Sequence, residues 1–139
     1  MTNFTTNEGK ELARLSVATV EDVLLARLVI REEAGRLGFA AHALTQIATV
    51  VSEIARNVVQ HAGQAGNIRV FEISQDGRPG LRIAVEDAGP GIADVDRALT
   101  GATPGAGIPG CRKLMDEFAI QSNAEGGTSV TMIKWLPNA

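Results

Sequence analysis

Two polar residues, Glu53 and Asn57, stand four apart in SEIARNVVQHA, a stretch otherwise dominated by Val, Ile and Ala. On a helix that spacing stacks both heads on one stripe, one turn apart. Such a stripe either faces solvent and does little, or lines a pocket. Downstream, DAGPGI begins at Asp87, at the end of an apolar alternating run. A carboxylate there can accept a hydrogen bond from an exocyclic amine, and Gly89 and Gly91 let backbone approach a flat polar ring closely. The ordinary alternative is a tight turn whose aspartate binds local amides. GAGIPG, with Gly105, Gly107 and Gly110, leads toward a helix, where free amides form a natural phosphate cradle. The match to GxGxxG follows a hairpin and a loop, not the first strand of a βαβ unit, which argues against a dinucleotide fold. No GxxxxGK[ST] occurs, so a Walker-type phosphate loop is excluded. EGGTSV, containing Thr128, reads by itself as a hairpin turn.

These residues need elements to hold them. The first nine are polar and are expected to be loose, leaving 10–139 as a single domain. KELARLSV, over 10–17, alternates loosely and predicts a strand with Leu12, Leu15 and Val17 inward. A helix is expected over 20–37, with Thr19 as its N-cap, Glu21 and Asp22 in its first turn and Gly38 just past its end. Val23, Leu24, Arg27, Leu28, Ile30 and Ala34 fit its amphipathic pattern. The second helix, over 41–62, keeps helical spacing through Leu44, Ile47, Ala48, Val51, Ile54, Ala55, Val58 and Val59, and Gly63 and Gly66 close it. Strands over 67–74 and 81–86 flank Asp76-Gly77, a hairpin signal. A glycine-rich stretch over 87–110 precedes a short helix over 112–117. Two more strands, over 118–123 and 128–136, complete the chain. Helices first and antiparallel strands after them predict an α/β sandwich with helices on one sheet face.

Composition narrows the function classes. A net charge of −3 without a dense basic block argues against nucleic-acid and acidic-membrane surfaces. Four Phe, one Trp and no Tyr leave little for stacking single-stranded bases. The single Cys111 has no partner for an internal disulfide, and no Cys/His cluster suggests zinc. Neither a leader-like start nor an apolar run of ~18 residues is present, which points to a cytoplasmic protein.

Taken in order, the helix with Glu and Asn, DxGxG after a strand, a glycine-rich loop and a late GGT are far more specific than any one of them. TVVSEIARNVVQHAG, VEDAGPGI, IPGCRKLMDEFAI and GGTSVTMIKW resemble, in the same order, segments of the RsbT-type serine/threonine switch kinases of bacterial stress signalling, relatives of anti-sigma factors. These belong to the GHKL superfamily with gyrase, MutL and sensor histidine kinases. The resemblance spans roughly residues 10 to 136 and implies a Bergerat ATP-binding fold, with ATP and Mg²⁺ as ligands. It implies that Glu53 polarises the attacking hydroxyl or water and that Asn57 coordinates Mg²⁺. It also implies that Asp87 recognises the adenine amine, that Gly89 and Gly91 give the ring room, and that Ile92 lies at the nucleotide. By the same comparison Gly105, Gly107 and Gly110 cradle phosphates, and Thr128 completes the adenine pocket. The residue types agree: Asn offers Mg²⁺ a neutral oxygen, and Mg²⁺ is usually held by few protein ligands plus phosphates and waters. The other reading of the pair is an exposed Glu53–Arg56 helical ion pair worth ~0.3–0.5 kcal/mol.

One segment departs from the family. Where a longer lid ending like GLGLGLPG is usual, this chain has ALTGATPGAGIPG, and Pro104 removes an amide donor. Fewer free amides should weaken the grip on the γ-phosphate. Two function classes follow from the resemblance. One is a kinase acting on a Ser or Thr of STAS-domain antagonist or scaffold proteins, as in a stressosome, and then activating a PP2C-type phosphatase. The other is a partner-switching binding module with weak or no catalysis, or an anti-sigma factor that sequesters an alternative sigma factor.

Overall fold

A computed structural model of the chain describes residues 9–62, 65–88, 107–122 and 127–137. The element order is β1 (Lys10–Val17), α1 (Val20–Leu37), α2 (Ala41–Asn57) continuing into a π-helical turn (Val58–Ala62), β2 (Gly66–Gln75), β3 (Arg78–Asp87), α3 (Gly107–Leu114), β4 (Glu117–Ser122) and β5 (Thr128–Trp135). The strands form one sheet in the order β1-β2-β3-β5-β4, and every adjacent pair is antiparallel. The expected α/β sandwich is therefore what forms.

Local chemistry explains the best-formed elements. At the start of α1 the Asp22 amide donates to Thr19 Oγ1 at 3.2 Å. The Thr19 and Ala18 amides donate back to Asp22 Oδ2 at 3.1 and 2.9 Å. These bonds, Ala18 first, hold the Asp22 carboxyl below the usual carboxylate range. Gly38 ends the helix in the left-handed region, at φ 108°. Between β2 and β3, Asp76 (φ 55°) and Gly77 (φ 79°) both take positive φ, the requirement of a two-residue turn that matches strand twist.

Register gives the sheet a layered face. Ala13, Val70, Ile83, Met132 and Phe118 form one row across all five strands, and Leu15, Ile68, Val85, Val130 and Ile120 form the next. Both rows pack under the helices in one apolar core with Ala26, Ile30, Ile47, Val50, Val51 and Ile54. Leu12, out of phase with Ala13 and Leu15, still reaches that core because the pairing shifts between Glu11 and Ala13. On the other sheet face Phe71 is only 7% exposed. The guanidinium groups of Arg82 and Arg69 lie 4.2 and 4.9 Å from its ring centroid. There too Trp135 sits against Gly80, where an added Cβ would stand 2.5 Å from its ring.

Three sequence expectations change. In α1 the buried stripe is Val23, Ala26, Ile30 and Ala34, whereas Leu24 and Leu28 are 59% and 65% exposed. The helix is apolar on two adjoining stripes, and the one holding the two alanines permits the closer approach. In the second helix α-geometry stops at Asn57, and the wider turn that follows carries Val58 onto Gly66. Gly66 itself opens β2 instead of closing the helix. The third helix starts at Gly107, five residues earlier than expected, because Pro109 suits a first helical turn that has no use for its missing N–H.

Candidate functional site

The third row of the sheet differs from the two apolar ones: it reads Val17, Gly66, Asp87, Thr128 and Ser122. Here the core face of the sheet turns polar. Thr128 Oγ1 and Ser122 Oγ lie 3.4 Å apart. Asp87 and Thr128 line a cavity of about 430 Å³ with Glu86, Gln121, Ser122, Gly127 and Ser129, which is within the usual size range for a small-molecule site. Gly127 has φ 95°, and an added Cβ would stand 3.2 Å from the Asp87 carbonyl oxygen. Glycine thus serves two needs there, positive φ and close backbone approach.

Gly66 brings the helix to this row. A Cβ on it would sit 2.8 Å from Val58 Cγ1, 2.8 Å from the Glu86 carbonyl oxygen and 3.4 Å from Asp87 Cβ. Val58 follows Asn57 directly, so the end of α2 rests beside Asp87. A switch from α to π geometry at such a point is common where function is located. Asn57 is half-buried at the junction. Glu53, one turn earlier and about one third exposed, accepts a hydrogen bond from Arg56 at 2.8 Å. The ion pair weighed from the sequence does form.

α3 reaches the same helix. Cys111 is buried with Sγ 4.0 Å from the Val50 carbonyl oxygen. Burial, and secondarily the Glu53 charge, push its thiol up to about 12. The Cys111–Val50 contact sets the middle of α3 against α2, the helix that carries Glu53. In the first turn of α3 the amides of Gly107 and Ile108 precede the first intrahelical hydrogen bond, and Pro109 has no N–H to satisfy. An added Cβ at Gly110 meets nothing within 4 Å, so packing alone does not require glycine there.

Of the residues singled out from the sequence, Asp87 and Thr128 share the polar sheet row where the end of α2 arrives with Asn57. Glu53 lies one turn earlier on α2, and Gly107 and Gly110 lie on α3, which packs against α2 through Cys111. Gly89, Gly91, Ile92 and Gly105 lie outside the described residues, as does the segment containing Pro104. Sequence reasoning missed Ser122, Gly66 and Gly127 as parts of this wall. For Ser122 the turn gave the wrong register: a four-residue turn at AEGG sets position 123 opposite Thr128, whereas the strands pair Ser122 with it. Among the described residues no group of three or more His, Cys, Asp or Glu gathers to hold a metal ion. A cation bound here would need oxygens from a ligand, and a neutral Asn amide suits Mg²⁺ held mainly by phosphates and waters. No described helix is long and apolar enough to cross a membrane.

The chain is similar to known proteins over most of its length. The chain is 40% identical over 125 residues to the serine/threonine-protein kinase RsbT of Bacillus subtilis (strain 168), covering 86% of this chain and 93% of that one. It is 31% identical to an anti-sigma F factor of Caldanaerobacter subterraneus subsp. tengcongensis, over 94% of this chain and 95% of that one. It is 30% identical to the serine-protein kinase RsbW of Bacillus pumilus, over 94% and 89%. Among solved structures, the RsbU and RsbW domains of a Mycobacterium tuberculosis protein match with TM-score 0.58 at 21% identity, covering 91% of this chain and 34% of that one. The histidine kinase domain of an Erythrobacter litoralis blue-light activated histidine kinase matches with TM-score 0.56 at 21% identity, covering 94% and 69%. At that identity these two speak for the fold alone. The model of the histidine kinase-like ATPase domain matches residues 16–134, and the chain belongs to that family.

Proposed function

We propose that this chain is an ATP-dependent serine/threonine protein kinase of a bacterial partner-switching module, acting in the cytoplasm on a Ser or Thr of a STAS-domain antagonist or scaffold protein. Release from that protein then lets it activate a PP2C-type phosphatase. The observation that supports this best is the convergence of Asp87 and Thr128 on one sheet row with the end of the helix carrying Glu53 and Asn57. The 40% identical kinase relative supports the same reading.

In this reading Asp87 accepts a hydrogen bond from the adenine amine, Thr128 flanks it, and Gly89, Gly91 and Ile92 surround the ring. Asn57 offers its amide oxygen to Mg²⁺, and the amides of Gly105, Gly107 and Gly110 face the phosphates. Bound ATP supplies the phosphoryl group, and Mg²⁺ offsets its charge. Glu53 accepts the proton of the substrate hydroxyl, and the wall it shares with Asn57 puts base and phosphate together. For this its carboxylate must exchange Arg56 for the substrate, a small change because an exposed i, i+3 pair contributes only about 0.3–0.5 kcal/mol.

Titration calorimetry with ATP and ADP, with and without Mg²⁺, followed by phosphoryl transfer to STAS proteins, tests the assignment. Asn57→Ala and Asp87→Ala should abolish magnesium-dependent binding. Glu53→Gln should retain binding and lose about 10²–10⁴-fold in transfer. Undiminished transfer in Glu53→Gln would remove that residue from the mechanism. The anti-sigma relatives support a second reading, a binding module that sequesters an alternative sigma factor. Binding of a sigma factor without transfer to any STAS protein would favour it.

A further inference from the structure

The outer face of the helical layer carries a second concave surface, lined by Leu24, Arg27, Leu28 and Arg31 of α1 and Thr45 and Ala48 of α2, with a volume of about 440 Å³. Neither the sheet row at Asp87 nor the first turn of α3 contributes to it. Its leucines are the most unusual feature: two large apolar side chains more than half exposed, continued by Val20 at 64%. The α2 side is also less polar than its sequence suggests. Thr45 Oγ1 donates to the Ala41 carbonyl oxygen at 3.2 Å and Thr49 Oγ1 to that of Thr45 at 2.9 Å, so both hydroxyls are satisfied within the helix.

The charges point to the occupant. Arg36 and Arg56 each pair with a glutamate three residues earlier. Arg27 and Arg31 pair with no acid among the described residues, and no acid stands three or four residues from either along α1. They stand four apart, a like-charge spacing that opposes helix formation. An apolar groove rimmed by two such cations complements a helix with leucine-like residues at i, i+3 or i+4 and i+7, flanked by Asp or Glu. A second copy fits poorly, since two-fold packing of this groove on itself would gather four arginines and no acid in one interface.

We propose that the α1–α2 groove docks an acidic amphipathic helix of a partner protein. This does not rest on the kinase reading. The test selects helical peptides from a displayed library on the full chain and measures their affinity by fluorescence anisotropy. Enriched peptides should be acidic and apolar at helical spacing, and Leu24→Ser/Leu28→Ser should weaken them about tenfold or more. Arg27→Glu/Arg31→Glu should do the same, with binding regained by peptides whose acids are changed to lysine. All four positions are exposed, so circular dichroism melting should be close to that of the parent. Any of four results overturns the proposal: no peptide enriched, peptides without acidic bias, binding indifferent to both double variants, or binding only to anionic vesicles. A change in the sedimentation of the chain alone with the groove variants would do so as well, by making a second copy the occupant.

Discussion

At the residue scale, the site is defined less by identity than by what each group faces. Glu53 is held by Arg56 yet close enough to the buried Cys111 to raise its thiol pKa. Maleimide labelling at pH 8 should therefore be slow in the folded protein and fast in guanidinium, and Glu53→Gln should shift the labelling profile to lower pH. An unchanged profile would separate Glu53 from α3. On the other sheet face, hydrogen bonds from Arg14 and then Arg69 lower the Glu11 carboxyl from 4.5 to about 2. A depressed carboxyl favours folding above the unfolded value of 4.5, and that stabilisation is lost as pH falls toward 2. Glu11→Gln should flatten acid denaturation in that window. The effect should be small and shrink in salt, because the groups are solvent-screened. Acid unfolding identical in both proteins would contradict it.

At the element scale, the joint between α2 and β2 has most influence on the site. Gly66 is where the helix end, Glu86 and Asp87 meet, and it tolerates no side chain without movement. Gly66→Ala should cost roughly 1–3 kcal/mol by forcing Val58 or the backbone of β3 aside. It should also weaken nucleotide binding, since the same shift moves Asn57 relative to Asp87. Denaturant melts together with ATP titration would check both. Stability equal to the parent would mean that Val58 can rotate away freely. Element boundaries were legible in the sequence wherever a local signal existed, as at Thr19, Gly38 and Asp76-Gly77. They were not legible at the π turn or the start of α3, where tertiary contacts and a proline decide.

For the whole molecule, the sheet sets the order of stability. β3 lies between β2 and β5, and Leu81, Ile83, Ile68 and Met132 are fully buried, whereas β1 and β4 form the edges. Hydrogen exchange should be slowest through the middle of β3 and its neighbours and faster in β1 and β4. Edge amides as slow as those of β3 would mean that something else covers the edges. The same arrangement separates two surfaces of different chemistry, a polar sheet row at the end of α2 and the apolar, arginine-rimmed groove on the outer helices.

From the sequence alone, the apolar periods, the caps and the order of the motifs determined an antiparallel sheet under helices and its histidine kinase-like family. Local hydrogen bonding and side-chain period are short-range, so one chain read in order contains them. Only the tertiary structure decided that Ser122, Gly66 and Gly127 join Asp87 and Thr128 in one wall, and that α1 buries its alanine stripe while leaving Leu24 and Leu28 outside. Those outcomes depend on strand register and on how closely two surfaces can approach. Both are set between segments far apart in the chain, where no local pattern carries them.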